Sequence, residues 1–321
     1  MMCCARRKRS RARCARPGDV LAPLPASRPR CSWPVPPWMV TGLTEFPRTT
    51  SEWTSPEECP SIVNGRWSDV GHTCVPVLDD GFLRGDGAFE VVRLYAGRPF
   101  ALDRHIARLK ASCAQLRLPC DGDGISAEAL DLAEAAHRRT CDMRIVLTRA
   151  GLRLLILEPL RPADASARLA VITDSAPILM SGAKTLSYAG KTLARRISIE
   201  RHCTDALFVT PDGRVLESQT AAFFWVDSEV RLCTPPLSEG ILDSITRGVV
   251  LSRLEVDERP CSLAEALSCN EAFLAGTTRE VQPVERIEGR SLGHVPGSST
   301  QRATEAFWAE VEETTGFKRE P

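Results

Sequence analysis

The alternation of apolar and polar positions begins near Ser61 and predicts strands before it predicts a helix. The stretch "SIVNGRWSDVG" has Asn-Gly between apolar residues, which is typical of a β-hairpin turn. The stretch "GAFEVVRLYAGRPFAL" predicts a longer strand that turns at Ala-Gly-Arg. Apolar residues then recur at helical spacing and predict a helix with Asp103 as its N-cap, the stripe being Leu102, Ile106, Leu109, Cys113 and Leu116.

The remaining pattern mixes strands and helices twice over, which predicts two α/β or α+β lobes. We expect a second helix over residues 127–137, two strands in "MRIVLTRAGLRLLILEPL" and another strand in "ARLAVIT". A Pro- and Asp-containing stretch at residues 161–166 is a candidate joint between the lobes. Beyond it we expect a loop, a helix over residues 189–202, the hairpin "ALFVTPDGRVLES" with a Pro-Asp-Gly turn, and further strands around a helix that opens at "DSITRGVVLSRL".

The first 59 residues differ from the rest in composition. A cluster of basic residues is followed by the Pro- and Trp-rich stretch "CSWPVPPWMV", and such a segment cannot bury a core. We therefore expect a disordered extension over residues 1–59, a small lobe over residues 60–165 and a larger lobe over residues 166–321. The extension is either a transit peptide or basic arm, or an over-extended reading frame whose start lies nearer Met39.

The charge balance favours a small-molecule ligand. Lysine plus arginine and aspartate plus glutamate both total 41, so the chain has no net charge that would attract nucleic acid or an anionic membrane. The sequence contains no run of about eighteen apolar residues, so no membrane span is predicted.

The thirteen cysteines are scattered singly through apolar segments, and no secretory apolar stretch precedes them. We interpret them as mostly reduced core thiols, examples being Cys113, Cys141, Cys203 and Cys233, and expect a cytoplasmic protein. Cys3, Cys4 and Cys14 have no histidine at zinc-ligand spacing, so no metal site is expected.

Lysine is rare, with five residues against 36 arginines. Lys8 and Lys318 lie in the tails, and Lys110 is expected on the exposed side of its helix. Lys184 and Lys191 are thus the candidates for a reactive amine that forms a Schiff base. From composition alone, a solvated lysine is the favoured interpretation.

Five segments in order resemble the class IV aminotransferases, a family that includes branched-chain and D-amino-acid aminotransferases and aminodeoxychorismate lyases. They are "LDDGFLRGDGAFEVVRLYAGRPFALDRHIARL", "AKTLSY", "DALFVTPDGRVLES", "ILDSITRGVVL" and "EAFLAGTTREVQPV". The resemblance covers roughly residues 61–312. It implies the two-lobed fold of these enzymes, with a small N-terminal α/β lobe and a larger C-terminal lobe that contains a pseudo-barrel sheet.

The resemblance implies pyridoxal 5′-phosphate as the cofactor, which needs an amine, an acid for its ring nitrogen and an anion site. Lys184 matches the family lysine that binds the cofactor covalently and then moves the substrate proton. Glu217 matches the carboxylate that pairs with the ring nitrogen; by itself it would be a surface carboxylate at a strand end. Tyr188 is a candidate partner for the phenolic oxygen.

Three segments match the family's phosphate site. Arg108 matches its arginine, Ile245 and Thr246 open a helix whose free N–H groups would face an anion, and Thr277 adds a hydroxyl. Each of these also has an ordinary structural interpretation, as a helix cap or a surface ion pair.

For substrate binding, Phe89, Arg93 and Tyr95 occupy alternate positions of one strand and share a face. Arg93 is a candidate for a substrate carboxylate, and Thr278 for another oxygen. Such an alternation equally describes a half-buried strand.

Two positions depart from the family pattern. Ala222 stands where family members commonly have asparagine, and Ala189 stands where branched-chain enzymes have a tyrosine, with Tyr188 one position earlier. The second departure weakens the case for strict branched-chain chemistry.

The preferred prediction is transfer of the amino group of a small, branched-chain-like amino acid to 2-oxoglutarate. The alternative is aminodeoxychorismate lyase activity, which releases pyruvate and leaves 4-aminobenzoate. A D-amino-acid substrate, cofactor binding without turnover, and nucleic-acid binding through the basic extension are further hypotheses. A homodimer is implied by the family alone.

Overall fold

The computed structural model describes residues 58–162, 164–173 and 180–319. The basic cluster, Cys3, Cys4, Cys14 and the extension up to residue 57 lie outside the described residues. Cys59 is already buried in the first core, so described order begins slightly before Ser61.

Six strands form a first, antiparallel sheet with the order β2-β1-β6-β5-β3-β4. The strands are β1 Pro60–Val63, β2 Arg66–Asp69, β3 Gly87–Tyr95, β4 Arg98–Pro99, β5 Cys141–Thr148 and β6 Arg153–Glu158. Three helices accompany this sheet, namely α1 Asp80–Arg84, α2 Leu102–Leu116 and α3 Gly122–Ala135. The apolar faces of α2 and α3 pack with the strands into one core.

The predicted turns of this sheet are confirmed. Asn64 and Gly65 both have positive φ angles (49° and 80°) between β1 and β2, as do Ala96 and Gly97 (47° and 80°) between β3 and β4. A two-residue turn with both φ angles positive matches the twist of the paired strands. The strands β5 and β6 also meet at Ala150-Gly151, as predicted.

The predicted stripe of α2 is buried at Leu102, Ile106, Leu109 and Cys113, and Leu116 packs against the same core. The predicted cap is wrong. The N-cap is Ala101, in the left-handed region (φ 51°), and makes no side-chain hydrogen bond, while Asp103 lies within the first turn. The backbone turn at Ala101 therefore starts the helix two residues earlier than capping chemistry predicted. The second helix, α3, likewise begins at Gly122 rather than at residue 127.

Ten strands form a second sheet, mixed in direction. They are β7 Ala167–Thr173, β8 Asp205–Val209, β9 Arg214–Ser218, β10 Ala222–Val226, β11 Leu232–Thr234, β12 Asp257–Glu258, β13 Cys261–Ser262, β14 Ala272–Gly276, β15 Glu280–Ile287 and β16 Arg290–Ser291. Nine of them follow the order β12-β11-β10-β14-β15-β7-β8-β9-β13, and β16 pairs with β15. The accompanying helices are α4 Ala189–Glu200, α5 Ile245–Arg253, α6 Leu263–Ser268 and α7 Ser298–Thr315.

This mixed α/β fold, with a smaller sheet followed by a larger curled one, is the fold that the resemblance implied. The predicted strand β7, helix α4 and the hairpin β8–β9 are confirmed, with Gly213 at φ 85° in the turn. The two sheets use residues 60–158 and 167–291, and a lobe boundary near residue 165 stays a prediction.

Helix α7 was not predicted, although it contributes to an aromatic core shared with the first sheet. Tyr95 and Phe100 from the β3–β4 region pack there with Val249 of α5 and with Phe307 and Val311 of α7. The rings of Phe100 and Phe307 lie edge to face, with centroids 5.5 Å apart. This core therefore joins segments that are far apart in the sequence.

None of the helices in the described ranges is long and apolar enough to cross a membrane. Among the same residues no group of three or more His, Cys, Asp or Glu side chains could hold a metal ion. Cys113, Cys141 and Cys233 are buried free thiols, and Cys203 is a partly exposed free thiol.

Phe307 provides a test of the shared aromatic core. Its side chain is 1% exposed, so Phe307→Ala should leave a cavity and lower the free energy of unfolding by about 3–5 kcal/mol. Denaturant unfolding measures the change. Glu305→Ala on the exposed side of α7 is the control and should stay within about 0.5 kcal/mol of the parent. An equal loss in both variants would contradict the assigned role of Phe307.

Candidate active site

A cavity of about 750 Å³ is lined by residues of both sheets. Strands β3 and β5 supply one wall, β9 and the turn between β14 and β15 supply another, and the segment 180–188 crosses between them. This volume is in the usual range for a small-molecule site.

Backbone hydrogen bonds fix the segment that contains Lys184 against the start of β3. The N–H of Phe89 donates to the carbonyl of Lys184 (3.0 Å), and the N–H of Leu186 donates to the carbonyl of Gly87 (2.9 Å). The N–H of Lys184 donates to the hydroxyl of Ser112 on α2 (3.0 Å). The lysine side chain lines the cavity, and its Nζ lies 4.5 Å from the centroid of the Phe89 ring.

The amine of Lys184 loses its proton far more readily than an ordinary lysine. Burial, reinforced by the positive charges of Arg108 and Lys191, lowers the pKa of Lys184 to about 7. Among the residues that the structure describes, no carboxylate forms an ion pair with Lys184 that would restore its charge. A neutral amine is the nucleophilic form.

Lys191, the other candidate, is in the opposite state. Its Nζ lies 3.1 Å from Oε1 of Glu217. Although burial opposes the charge, the Glu217 carboxylate raises the pKa of Lys191 and keeps it an ammonium. The two lysines are therefore distinguished by their partners: the pKa of Lys184 is lowered, whereas Lys191 is the counter-ion of Glu217.

Glu217 is the penultimate residue of the hairpin strand β9 and lines the cavity, with its side chain 15% exposed. Besides the contact with Lys191, its Oε2 accepts a hydrogen bond from the backbone N–H of Leu242 (3.2 Å). Both oxygens are thus held, while the carboxylate still lines the cavity.

Arg108 projects from α2 to another part of the cavity. Its Nε and Nη2 donate to Glu90 (2.8 and 2.7 Å), and its Nη1 donates to the carbonyl of Asp243 (2.8 Å). Asp243 immediately precedes Ser244, the N-cap of α5, so the arginine is joined to a helix N-terminus. A guanidinium beside a helix N-terminus is an arrangement that suits an anion.

The two residues that open α5 lie behind this site. Ile245 and Thr246 are buried, and Ser244, rather than either of them, lines the cavity. Their backbone N–H groups belong to the first turn and have no acceptor within the helix. Ser244 itself accepts a hydrogen bond from the N–H of Arg247 (3.3 Å).

Glu90 and His105 are functional candidates that the sequence did not reveal. Glu90 is fully buried, and although burial opposes its charge, Arg108 and then His105 lower its pKa to about 2. Burial lowers the pKa of His105, so the neutral ring donates from Nδ1 to Oε2 of Glu90 (2.8 Å). The sequence offered one indication of this, namely that Glu90 stands among apolar residues of the predicted strand β3.

Phe89 and Arg93 line the cavity, but Tyr95 does not. Tyr95 is buried beside Trp308 and Phe317, and its hydroxyl donates to Glu280 (2.9 Å). It shares the strand face of Phe89 but lies at the end of β3, where the aromatic core replaces the cavity.

Arg93 is already heavily engaged. It donates to both oxygens of Asp142 (2.6 and 3.4 Å), to Glu280 (3.2 Å) and to the carbonyl of Thr278 (3.3 Å). Four of the five guanidinium N–H groups are therefore used, and Arg93 anchors the turn that contains Thr278. Another ion pair in the wall, between Arg144 and Glu158 (2.7 and 2.9 Å), was not predicted.

Thr277 and Thr278 line the cavity in the turn between β14 and β15, and Ala222 lines it beside them. Tyr188 contacts Phe89 edge to face, with ring centroids 5.6 Å apart, and donates its hydroxyl to the carbonyl of Gln219 (3.2 Å). Ala189 is the first residue of α4 and is exposed, so the aromatic position at the cavity belongs to Tyr188.

The family model for class IV amino-transferases matches residues 87–287. The putative branched-chain-amino-acid aminotransferase of Methanocaldococcus jannaschii is 30% identical over 271 residues, which are 76% of this chain and 94% of that protein. The aminodeoxychorismate lyase of Bacillus subtilis is 28% identical over 269 residues, covering 74% of this chain and 90% of the lyase.

A solved structure has the same fold. A hypothetical aminotransferase from Mycobacterium tuberculosis, in its PLP-bound form, matches with a TM-score of 0.71 at 21% identity. The match covers 79% of this chain and 99% of that one.

The lowered pKa of Lys184 predicts an unusual pH dependence of its reactivity. Competitive labelling with acetic anhydride should modify Lys184 with a midpoint near pH 7, against an ordinary lysine value of 10.5. Peptide mass spectrometry measures the modified fraction at each pH. A midpoint above pH 9 would contradict the neutral-amine assignment.

Stability should show the same titration. Between pH 7 and about 10 the unfolded chain binds more protons at Lys184 than the folded chain, so this residue makes stability rise with pH over that window. Lys184→Met should be more stable than the parent by a few kcal/mol below pH 7, and the difference should shrink as the pH approaches 10.

Proposed function

The chain belongs to the class IV aminotransferase family, and from this premise we propose that it binds pyridoxal 5′-phosphate through Lys184 and transfers amino groups. It is an enzyme of a family in which aminotransferases and lyases share one fold. The amino donor that we propose is a small amino acid with a branched-chain-like side chain, and the acceptor is 2-oxoglutarate.

The proposal depends on one observation. An amine with a lowered pKa, a hydrogen-bonded carboxylate and a guanidinium beside a helix N-terminus line the same cavity. Lys184, Glu217 and Arg108 all line this cavity, and each comes from a different element. An aldehyde, a ring nitrogen and a phosphate require these three groups, so the residues present fit the cofactor.

The cofactor, when bound, supplies an electron sink that stabilises negative charge on the substrate's Cα. Lys184 would supply the nucleophilic amine and, with its pKa near 7, would accept the substrate's Cα proton and donate it back. A residue that moves this proton must lie close to the reacting carbons. The backbone hydrogen bonds between the Lys184 segment and β3 keep Lys184 in the cavity wall.

The remaining chain groups would hold the cofactor. Glu217, with one oxygen on Lys191 and the other on the Leu242 N–H, would face the ring nitrogen. Arg108 and the N–H groups of Ile245 and Thr246 would receive the phosphate, with the hydroxyl of Thr277 beside them. Tyr188 would face the phenolic oxygen. Each assignment combines the family position with the placement at or behind the cavity wall.

The substrate wall supports an apolar side chain. Phe89, Val91 and Val146 give it apolar surface, and its charged groups Arg144 and Glu158 neutralise each other. Because Arg93 is engaged with Asp142 and Glu280, we assign it to positioning Thr278, and assign the substrate carboxylate to the backbone N–H groups of that turn. Tyr95 would act only through Glu280, which also binds Arg93.

Aminodeoxychorismate lyase activity is the second candidate, because the Bacillus subtilis lyase is nearly as similar as the aminotransferase from Methanocaldococcus jannaschii. The same amine would serve that reaction, since elimination also begins with removal of the Cα proton. The position of Tyr188 and the alanine at 189 are compatible with either reaction.

We further propose a cytoplasmic homodimer that acts on small molecules and binds neither nucleic acid nor membrane. Exposed apolar side chains around α1 support an interface there, namely Val75, Val77, Leu78, Phe82 and Leu83. Sedimentation of the purified chain measures the oligomeric state.

The covalent link is tested by borohydride reduction of the cofactor-loaded protein. Reduction should fix the pyridoxyl group on the peptide that contains Lys184, and Lys184→Ala should lose the label together with the visible absorbance. Lys110→Ala, outside the cavity, is the control and should keep both. Label retained in Lys184→Ala on the Lys191 peptide would transfer the role to that lysine.

The reaction is tested by assaying leucine plus 2-oxoglutarate in parallel with aminodeoxychorismate. We expect glutamate formation from the first pair, with kcat/KM at least about tenfold above that for 4-aminobenzoate formation. D-alanine plus 2-oxoglutarate tests the stereochemistry. Formation of 4-aminobenzoate and pyruvate alone would replace the aminotransferase assignment with the lyase.

A further inference from the structure

Lys191 is a charged residue in the cavity that the proposed chemistry does not use. It lies in the first turn of α4, seven residues after Lys184, and lines the cavity with its side chain 35% exposed. Its Nζ bonds Oε1 of Glu217 (3.1 Å) and lies 5.9 Å from the centroid of the Tyr188 ring. Two of only five lysines in the chain therefore share this cavity.

The pairing determines how Glu217 can act. A carboxylate has about four lone-pair sites, and here the Lys191 ammonium and the Leu242 N–H occupy one site on each oxygen. The remaining sites can face the cavity, so the carboxylate is oriented without being closed off. The positive charge of the ammonium also offsets part of the negative potential that the carboxylate exerts on a group bound on its other side.

We propose that Lys191 is a positioning residue that orients Glu217 toward the cofactor's ring nitrogen and, through its own charge, weakens the hold of Glu217 on the ring-nitrogen proton. The part of this inference that concerns the ring nitrogen rests on the proposed function. The charge of Lys191 also acts on the amine of Lys184, so a second part of the test needs no cofactor. Lys191 thus affects protonation at two places in the cavity, the ring nitrogen and the amine of Lys184.

Three variants separate the pairing from a general field effect. Lys191→Met removes the charge and the hydrogen bond, and Lys191→Arg keeps the charge and a donor. Arg195→Met removes another cavity-lining charge one helical turn further along α4; in the structure Arg195 makes no hydrogen bond or ion pair with Glu217.

The cofactor arm uses holoenzyme loaded with ¹⁵N-labelled pyridoxal phosphate. We expect the ring-nitrogen resonance of Lys191→Met to move toward the protonated position relative to the parent. Lys191→Arg and Arg195→Met should stay close to the parent. An unchanged resonance in Lys191→Met, or an equal movement in Arg195→Met, would overturn the proposal.

The second arm repeats the acetic anhydride titration of Lys184 on the cofactor-free variants. Losing Lys191 removes a cation and frees the Glu217 charge, so the Lys184 midpoint should rise by roughly one pH unit in Lys191→Met. Lys191→Arg should restore the parent midpoint. A midpoint that does not move in Lys191→Met would overturn the proposal even if no variant binds the cofactor.

The two arms distinguish failure of this inference from failure of the proposed function. If the parent chain does not bind pyridoxal phosphate, the proposed function fails together with the ring-nitrogen part of this inference, while the titration still decides whether Lys191 controls the pKa of Lys184. Thermal unfolding of each cofactor-free variant shows whether Lys191→Met folds; where it does not, Lys191→Gln takes its place in both arms.

Discussion

The active site depends on keeping one primary amine neutral among many charged side chains. Lys184 forms no ion pair among the described residues, and the nearby carboxylates are paired with other cations, Glu90 with Arg108 and Glu217 with Lys191. Both carboxylates still raise the pKa of the amine. Burial and the cations Arg108 and Lys191 outweigh this effect and lower the pKa. Neutrality is therefore a property of the whole charge arrangement.

Strand β3 connects this arrangement to the fold. Successive side chains of a strand point to opposite faces. Phe89 and Arg93 therefore face the cavity, while Glu90 faces α2 and binds Arg108 and His105. One strand thus supplies the substrate wall and the support of the anion site, and its first residues also bind the backbone around Lys184.

The sequence was informative where local chemistry decides the structure. The Asn-Gly and Pro-Asp-Gly turns, the α2 stripe and the hairpin that contains Glu217 follow from short-range rules. Asp103 failed as a cap because Ala101 adopts the left-handed conformation instead. Helix α7 was missed because its apolar stripe (Ala303, Phe307, Val311) is narrow among polar residues. The distinction between Lys184 and Lys191, and the burial of Glu90, depend on contacts between residues that are distant in sequence.

The division between shared and variable parts of the cavity explains why relatives with different reactions have one fold. In the proposed function, Lys184, Glu217 and Arg108 would serve removal of the Cα proton whatever follows it. In the proposed function, the walls formed by β3 and β5 and the backbone at Thr278 would contact the rest of the substrate. Transamination and elimination diverge after the shared step, so their difference must lie in how these walls orient the bonds that remain at Cα and Cβ. Arg93 joins the two walls, because it extends from β3 and donates to the carbonyl of Thr278 in that turn.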